Sequence, residues 1–428
     1  MSIQQNFPGF SPSLNLNFAR SKRLDQRVTF VRQTGATVTN ELGLLERVGN
    51  NIPRFDHVYD ASTGAVRSLG LLIEEQRENI LNQSVVTTSN WTGGTSNTTY
   101  SDLSLNALGI FPGVEVTSTT GAAWHRRTTG YNVPFVSGTQ YALTFYYREG
   151  TSGRARLQLR YNSQESYVQG PVDGSAWSVQ QTLGTVTNVT TTLLDGQSTY
   201  KTSYIFTPNF TGVADLGIGV GLEGSAGVTI IALGAQVEAG AFPTSYIPTT
   251  GLPTTRAEDS VYIDGRIGDN FSWYNPLEGS ILWTGNVYGT EKEAVCPYKI
   301  SNLSSLRGIG VQFDTRSLNN TAVFMARAVT SNIPVENAPF GTIPSSDTIK
   351  IAGAYEEGVG ISAAFDGFPS ASSGGGSQTD IVFGDEYYLD IGGSRSLSGS
   401  NNKFTGVCEQ LIYYPRRITD LQLQSISK

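Results

Sequence analysis

Residue types on which most catalytic and metal sites depend are scarce in this chain of 428 residues. It has two histidines, His57 and His125, and two cysteines, Cys296 and Cys408. Neither histidine has a glycine-flanked nucleophile nearby, and no cysteine is spaced from a histidine as in a zinc site. The cysteines are expected to be free thiols in a core, with a disulfide between them as the alternative. The scarcity argues against histidine-based catalysis and against a histidine metal site.

Charged residues are also few, and long apolar runs are missing. Asp, Glu, Lys and Arg make up 15% of the chain, the net charge is −7, and no long basic run occurs. Phosphate binding needs a basic face, so nucleic acid is not an expected partner. Without a run of eighteen apolar residues, membrane insertion is not expected. The first thirteen residues lack the basic and apolar segments of a signal peptide, and with so little cysteine this favours assembly in a reducing cytoplasm.

What the chain has in abundance favours short β-strands. It contains 48 glycines, 20 tyrosines and 19 phenylalanines. Apolar side chains alternate with other residues in residues 141–149, where Leu143 and Phe145 share a face. The same alternation occurs in residues 215–222, where Leu216 and Ile218 share a face. A chain of this length exceeds what one core supports, which predicts two or three domains. The expected fold class is all-β.

The first region, residues 1–83, alternates short apolar pairs with Arg, Lys, Asp and Gln. It is too poor in apolar runs to bury a core alone, which predicts an extended arm with small β-elements lying against a neighbouring subunit or domain. The ordered strings FARSKRLDQRVTFVRQTGAT, PRFDH and LGLLIEEQRENIL resemble the N-terminal module of tailed-bacteriophage structural proteins. The resemblance implies a place in the virion, made in the bacterial host cytoplasm, with this arm as the virion anchor. The candidate anchor residues are Leu14, Leu16, Phe18, Leu71, Leu72 and Ile73.

Residues 84–250 are expected to form a second region. They end in a strand-like stretch that meets Pro243, Pro248 and Pro253, and proline cannot continue a central strand. The string LGAQVEAGAFPTSYIPTTG, followed by TRAED, looks like the end of the carbohydrate-binding-module-like sandwich of tailed-phage virion proteins. The resemblance implies a jelly-roll β-sandwich followed by an extended connector.

Residues 251–428 resemble a concanavalin A-like (laminin G-like) lectin sandwich. The matching features are a hairpin that ends in Asp366-Gly367, the string LDIGG at residues 389–393, and a short final helix. Thr419 is the expected helix N-cap, because a threonine oxygen accepts a hydrogen bond from the first turn. The sequence thus predicts an N-terminal arm, a jelly roll, and a concanavalin A-like sandwich with a short C-terminal helix.

Aromatic side chains are the main candidates for ligand contacts, because sugar rings stack their C–H faces on them. In a β-sandwich, however, large aromatic residues are more often part of the core than ligand contacts. The candidates for glycan binding are Trp91, Trp124, Tyr146, Trp177, Trp273 and Trp283. No cofactor is expected, and the metal content is left open. Both resembled folds commonly hold calcium, for which Asp366 and Glu238 are possible ligands, although no dense Asp/Asn loop supports them.

The carboxylates do not predict catalysis. They occur as adjacent pairs, Glu74-Glu75, Glu356-Glu357 and Asp385-Glu386, whereas a glycosidase needs two carboxyls facing each other and neighbours on a strand point to opposite faces. No enzyme activity is therefore expected.

The resemblances imply a structural protein of a tailed-phage virion, a tail fibre or appendage whose lectin-like domains attach to host-surface glycans. The alternatives are a capsid-decorating or head-fibre protein, or a depolymerase of cell-surface polysaccharide. The expected partners are other virion proteins and further copies of the chain, with a trimer as the first hypothesis.

Overall fold

The structure is a computed structural model. It describes residues 7–94, 97–120, 126–128, 133–220, 226–289, 294–301, 308–314, 321–327, 336–342, 348–357, 359–369, 388–393 and 404–428. Within these ranges strands dominate, and the helices are α1 (Phe18–Ser21) and α2 (Asp420–Ile426). Neither helix has the length or the apolar character that crossing a membrane would require.

Seven strands come from the N-terminal region. They are β1 (Leu14–Asn17), β2 (Val28–Val31), β3 (Ala36–Thr39), β4 (Leu45–Val48), β5 (Arg54–Asp60), β6 (Ala65–Ile73) and β7 (Arg77–Asn79).

The middle of the chain supplies the next thirteen strands. They are β8 (Gly93–Gly94), β9 (Thr98–Asp102), β10 (Val114–Ser118), β11 (Arg126–Thr128), β12 (Val133–Phe135), β13 (Tyr141–Glu149), β14 (Arg154–Tyr161), β15 (Gln164–Pro171), β16 (Ser178–Gln181), β17 (Gly184–Leu193), β18 (Thr199–Pro208), β19 (Gly212–Gly219) and β20 (Thr229–Ala239).

The remaining strands lie in the C-terminal part. They are β21 (Thr254–Arg256), β22 (Ser260–Asp264), β23 (Glu278–Gly289), β24 (Ala294–Ser301), β25 (Gly308–Asp314), β26 (Thr321–Arg327), β27 (Glu336–Thr342), β28 (Ile349–Glu356), β29 (Gly360–Phe365), β30 (Phe368–Pro369), β31 (Tyr388–Ile391) and β32 (Thr405–Tyr414).

Strands β8 to β20 form the first sandwich. One sheet has the order β17-β18-β13-β20-β10-β9, and the other has the order β16-β15-β14-β19-β11-β8 with β12 also paired to β19. The alternation seen in the sequence determines which side chains lie between the sheets: Leu143 and Phe145 of β13 meet Leu216 and Ile218 of β19 in one buried apolar cluster. The interior is therefore built from every second residue of each strand.

The second sandwich contains strands from both ends of the chain. Its eight-stranded sheet has the order β30-β29-β28-β23-β32-β6-β5, with β1 also paired to β32, and its other sheet has the order β2-β22-β31-β24-β25-β26-β27. Helix α2 covers part of it and begins as expected, since Thr419 and Gln422 form a reciprocal capping box. The predicted fold class, an all-β chain with a jelly-roll sandwich, a concanavalin A-like sandwich and a short C-terminal helix, is confirmed.

The N-terminal region is part of the second sandwich. Strand β1 pairs Leu16 with Leu411, and β6 pairs Leu71 with Cys408, so both lie in succession along the same edge of β32. Strand β2 joins the opposite sheet by pairing with β22. The sequence predicts that the arm lies against either a neighbouring subunit or a domain. In the structure the arm lies on a domain of its own chain.

Gly70 makes the approach of β6 to β32 possible. Its φ of +114° lies in the region that favours glycine, and a Cβ at this position would collide with the carbonyl oxygen of Cys408. Cys408 and Cys296 are both buried free thiols, as the sequence predicted. Close backbone contact at Gly70 therefore requires a residue without a side chain.

The anchor residues predicted from the sequence are core residues, so that prediction is wrong in its stated form. Apolar side chains that order by docking find their partners within the same chain, and at most 3% of each remains exposed. They are Leu14, Leu16, Phe18, Leu71, Leu72 and Ile73. They are not available to another protein. The predicted domain boundary at residue 83 does not separate two folded units, because the second sandwich includes strands from residues 1–83.

Removing residues 1–83 is expected to unfold the second sandwich. The truncated chain loses β1, β2, β5 and β6, which uncovers the edge of β32 and the apolar cluster beneath it. Calorimetry of residues 84–428 should show the transition of the first sandwich alone, whereas the full chain shows both. A second-sandwich transition as stable as that of the full chain would contradict this structure of the N-terminal region.

A single substitution tests the same point without truncation. Leu71→Ala empties a fully buried position in β6 and should lower the free energy of unfolding by about 2 to 5 kcal/mol. Leu42→Ala is the matched control, because Leu42 is 72% exposed in the same region and should change stability by less than about 0.5 kcal/mol. Equal effects of the two substitutions in urea denaturation would argue against the docked position of β6.

Candidate functional site

Three of the predicted glycan-binding tryptophans are core residues, and for them the prediction is wrong. Trp91 lies in the first sandwich and donates its indole N–H to the Gln83 carbonyl at 3.0 Å. Trp273 and Trp283 lie in the core of the second sandwich, where at most 4% of each is exposed. Large aromatic rings bury more apolar area than any other side chain, which explains why a sandwich places them inside.

The other candidates differ in position. Trp177 is half-buried beside β16 and donates its indole N–H to Thr191 Oγ1 at 2.9 Å. Tyr146 is 3% exposed and packs against the rings of Phe111 and Tyr246, with centroids 5.2 and 5.3 Å away. Trp124 lies outside the described residues. Trp177 therefore remains a candidate, and Tyr146 supports a cavity wall rather than presenting a free ring.

A cleft of about 760 Å³ lies where the three regions of the chain meet. Its floor is the outer face of the first sandwich, because Tyr204 and Phe206 of β18 face the core while the alternate residues Lys201 and Ser203 face the cleft. Neighbouring β17 adds further polar groups to the floor. They are Asn188, Thr190 and Thr192.

The walls of the cleft come from the other two regions. Strands β3 and β5 contribute polar and aromatic residues, the connector after β20 contributes residues 241–246, and β23 contributes Tyr288. Tyr288 is 38% exposed, so its ring is open to the cleft. Because β6 has one extra residue opposite the step from Asp56 to His57, the regular ladder is interrupted there, and both residues line the cleft.

His57 is held by one nitrogen and open at the other. Its Nδ1 donates to the Thr39 carbonyl at 3.0 Å, and in the neutral tautomer with this bond Nε2 is an acceptor. Nε2 is buried and has no hydrogen-bond partner among the described residues. A buried acceptor without a partner is costly, so this nitrogen is suited to a hydroxyl group from a ligand.

Asp56 and Lys201 supply opposite charges to the cleft. Burial raises the pKa of the Asp56 carboxyl, against the hydrogen bond that its Oδ1 accepts from the Thr39 backbone N–H at 3.0 Å. Burial lowers the pKa of Lys201, and the negative charge of Asp56 opposes that shift. The two groups form no ion pair with each other. Partial burial therefore reduces the solvation of both Asp56 and Lys201, and the two side chains do not neutralise each other by direct contact.

A buried ionic junction, formed by Arg32, Arg54, Glu74, Arg256 and Asp259, borders the cleft through Glu74. Arg54 donates to Glu74 Oε2 at 2.7 Å and to the Asp259 carboxylate, and Arg32 contacts Asp259 Oδ1 at 3.2 Å. Arg256 lies 3.4 Å from Glu74. These side chains come from the N-terminal strands and from the segment before β22, so the junction fastens the two parts of the second sandwich to the connector.

Glu74 is the most constrained carboxylate of the junction. Burial by itself would raise its pKa, but Arg256, Arg54 and two hydrogen bonds from Ser245 outweigh burial and hold the pKa at about 2. The Ser245 backbone N–H donates to Oε1 at 2.7 Å and its hydroxyl donates to Oε2 at 2.6 Å. Glu74 is thus fully engaged in structure.

The calcium candidates have partners within the chain. Both oxygens of Glu238 accept hydrogen bonds from Thr244, and burial raises its pKa. Asp366 Oδ1 accepts the Lys350 backbone N–H at 2.8 Å at the turn after β29. In the described part of the chain, no three His, Cys, Asp or Glu side chains are grouped as metal ligands. A structural calcium site remains a prediction without a defined location.

Sequence reasoning missed the cleft residues Asp56, His57 and Lys201. The first two belong to the string PRFDH, which was noted only as part of a module. The alternation of β18 indicates that Lys201 faces outward, away from the core. No local pattern indicates that another region of the chain covers this outer face. The site depends on contacts between distant segments, which a pass along the chain does not detect.

Replacing Glu74 should change the acid sensitivity of the fold. Because the folded pKa is about 2 and the ordinary value is 4.5, this group stabilises the fold above pH 4.5, and its contribution is lost as the pH falls towards 2. Glu74→Gln should lower the free energy of unfolding at pH 7 by about 3 to 5 kcal/mol and flatten its decline between pH 4.5 and 2.

Urea denaturation across this pH range measures both effects. Glu357→Gln, in an exposed turn after β28, is the control and should leave stability and its pH dependence unchanged. If the free energy of unfolding of Glu74→Gln fell between pH 4.5 and 2 as steeply as that of the unsubstituted chain, the low pKa of Glu74 would be disproved.

No family model matches the chain, and no curated protein matches it. Solved structures match at low similarity. The CBM40 module of Ruminococcus gnavus IT-sialidase, bound to α2,3-sialyllactose, has a TM-score of 0.33 and 12% identity over 39% of this chain and 91% of that module. Mouse laminin α1 domains LG4–5 have a TM-score of 0.24 and 12% identity, covering 82% and 92%. Trypanosoma rangeli sialidase in complex with sialic acid has a TM-score of 0.30 and 11% identity, covering 99% and 97%. Because these TM-scores are below 0.5, the fold described above rests on the chain's own strand pairing.

Proposed function

We propose that this protein is a non-enzymatic, glycan-binding structural protein of a tailed-phage virion, of the tail-fibre or appendage type. The observation that carries the glycan-binding part is the cleft between the first sandwich and the N-terminal region. The virion part rests on the resemblance of residues 1–83 and of the connector to phage structural proteins.

The composition of the cleft suits a sugar. Its volume of about 760 Å³ lies within the range of roughly 300 to 1,000 Å³ that small-molecule sites occupy. Asn188, Thr190 and Thr192 offer amide and hydroxyl groups along one strand, and the rings of Tyr59 and Tyr288 line the opposite side. Sugars present hydroxyls at their edges and C–H groups on their faces, so this mixture matches both.

The carboxylates of the cleft favour binding over hydrolysis. Of the described residues that line it, Asp56 and Glu74 carry carboxylates. Glu74 is occupied by Arg54 and by Ser245, which leaves Asp56 without the second free carboxyl that a glycosidase requires. This supports a binding protein, and the depolymerase alternative is tested below.

The place in the virion and the assembly state are proposals from the sequence. Because the apolar pairs of the N-terminal region are buried, attachment to other virion proteins has to use residues that remain on its surface. Its exposed large apolar side chains among the described residues are Phe7, Val31, Leu42, Leu44 and Ile52. A trimer remains the proposed assembly, with a capsid-decorating position as the alternative to the tail.

Filling the cleft should abolish glycan binding. Thr192→Trp places a large ring on the floor and should weaken binding to envelope polysaccharide of the host bacterium at least tenfold. Thr185→Trp is the matched control, because Thr185 is exposed on the same strand β17 outside the cleft and should leave binding unchanged. Both variants should keep the melting temperature of the unsubstituted chain.

The same preparations distinguish the alternatives. A binding protein leaves the polysaccharide intact, so release of soluble oligosaccharide by the unsubstituted chain would favour the depolymerase. Equal binding by Thr192→Trp and Thr185→Trp would remove the cleft as the glycan site. Immunogold labelling of intact particles then separates a tail position from a capsid position.

A further inference from the structure

Lys201 occupies the centre of the cleft floor. It lies on β18 opposite Thr192 of β17 and Tyr146 of β13, so residues of both neighbouring strands flank it. Its side chain is half-buried and lines the cleft. The cleft therefore shields Lys201 from solvent in part.

The ammonium has no partner within the described part of the chain, since no hydrogen bond or ion pair joins it to a described residue. The carboxylates that influence it are engaged elsewhere: Glu74 with Arg54, and Glu238 with Thr244. Asp56 uses one oxygen for the Thr39 backbone. Burial disfavours the charge of Lys201 and lowers its pKa. A poorly solvated cation of this kind is stabilised when an anion enters the cleft.

The neighbouring groups determine what kind of anion fits. Asp56 lines the cleft, and its carboxylate would repel a ligand with two or more negative charges, such as a phosphate, more strongly than a ligand with one. His57 Nε2 and the Asp56 carboxylate, which already accepts hydrogen bonds from the Thr39 and His57 backbone, are acceptors for hydroxyl groups. Lys201, His57 and Asp56 together therefore match a ligand that carries one negative charge and several hydroxyl groups.

We propose that the cleft selects acidic sugars and that Lys201 binds their carboxylate, while His57 and Asp56 accept hydrogen bonds from their hydroxyls. This rests on the proposed glycan-binding function and adds the chemical class of the ligand. A neutral sugar fills the same space but does not neutralise the positive charge of Lys201, and it binds more weakly because of this.

A matched pair of ligands tests the selection. A uronic-acid oligosaccharide and its carboxyl-reduced form differ only in the charged group, so their affinities for the unsubstituted chain should differ at least tenfold in favour of the acid. Lys201→Met keeps the length of the side chain and removes the charge, and should bind both forms equally. Lys201→Arg restores a cation and should restore the preference for the acid.

Two controls exclude general effects. Arg160→Gln makes the same change in net charge on an exposed position of β14, outside the cleft, and should retain the preference. Lys201→Met should melt no lower than the unsubstituted chain, because it removes a half-buried charge that no described side chain neutralises. Inorganic phosphate, as a competitor, should displace the acid poorly.

The outcomes separate this proposal from the proposed function. Retention of the acid preference by Lys201→Met would overturn the role of Lys201. Competition by phosphate as strong as by the acid would overturn the selection of a singly charged sugar. Binding of the reduced form at the affinity of the acid would overturn acid selection and leave glycan binding intact. If the unsubstituted chain bound neither these oligosaccharides nor host envelope polysaccharide, glycan binding itself would be wrong.

Discussion

The open edge of strand β32 is the constraint on which the rest of the molecule depends. An uncovered edge presents unpaired N–H and C=O groups and attracts other chains. Here β1 and β6 cover it, and Gln410 and Asn15, 395 positions apart, are joined by a side-chain hydrogen bond of 3.0 Å. Since the covering strands come from the start of the chain, the chain leaves the second sandwich after β7, forms the first sandwich and returns at β21, which pairs with β7. The ionic junction and the cleft lie where these segments meet.

The ionic junction specifies this path more than it stabilises the fold. Three arginines and two carboxylates lie almost without solvent, and removing such charges from water costs as much as their attraction returns. Apolar residues of the same size would hold the segments as firmly. What the charges add is selectivity: Glu74 and Asp259 are satisfied only when Arg54 on β5 and the segment before β22 are both in place, so alternative dockings leave a buried charge without a partner.

Local patterns predicted much of the fold, and non-local contacts explain what they missed. The alternation in β13 and β19 and the cap at Thr419 depend on neighbours in sequence, and the structure has them where expected. The pairing of Leu14 with Tyr413 has no local signal, because an apolar pair in a short strand looks the same whether it docks within the chain or on another protein. For the same reason the sequence offers Trp91 and Trp283 as candidate ligand contacts, whereas the structure buries both rings in the sandwich cores.

The cleft links ligand binding to the arrangement of the whole chain. Its floor belongs to the first sandwich, and its walls belong to the N-terminal strands, the connector and β23 of the second. A ligand that contacts Lys201 on the floor and His57 on the wall is bound only when these parts are correctly docked. By mass action it then stabilises that docked state, by about 2.7 kcal/mol at a concentration one hundred times its dissociation constant. Occupation of the cleft by such a ligand therefore favours one relative placement of the two sandwiches.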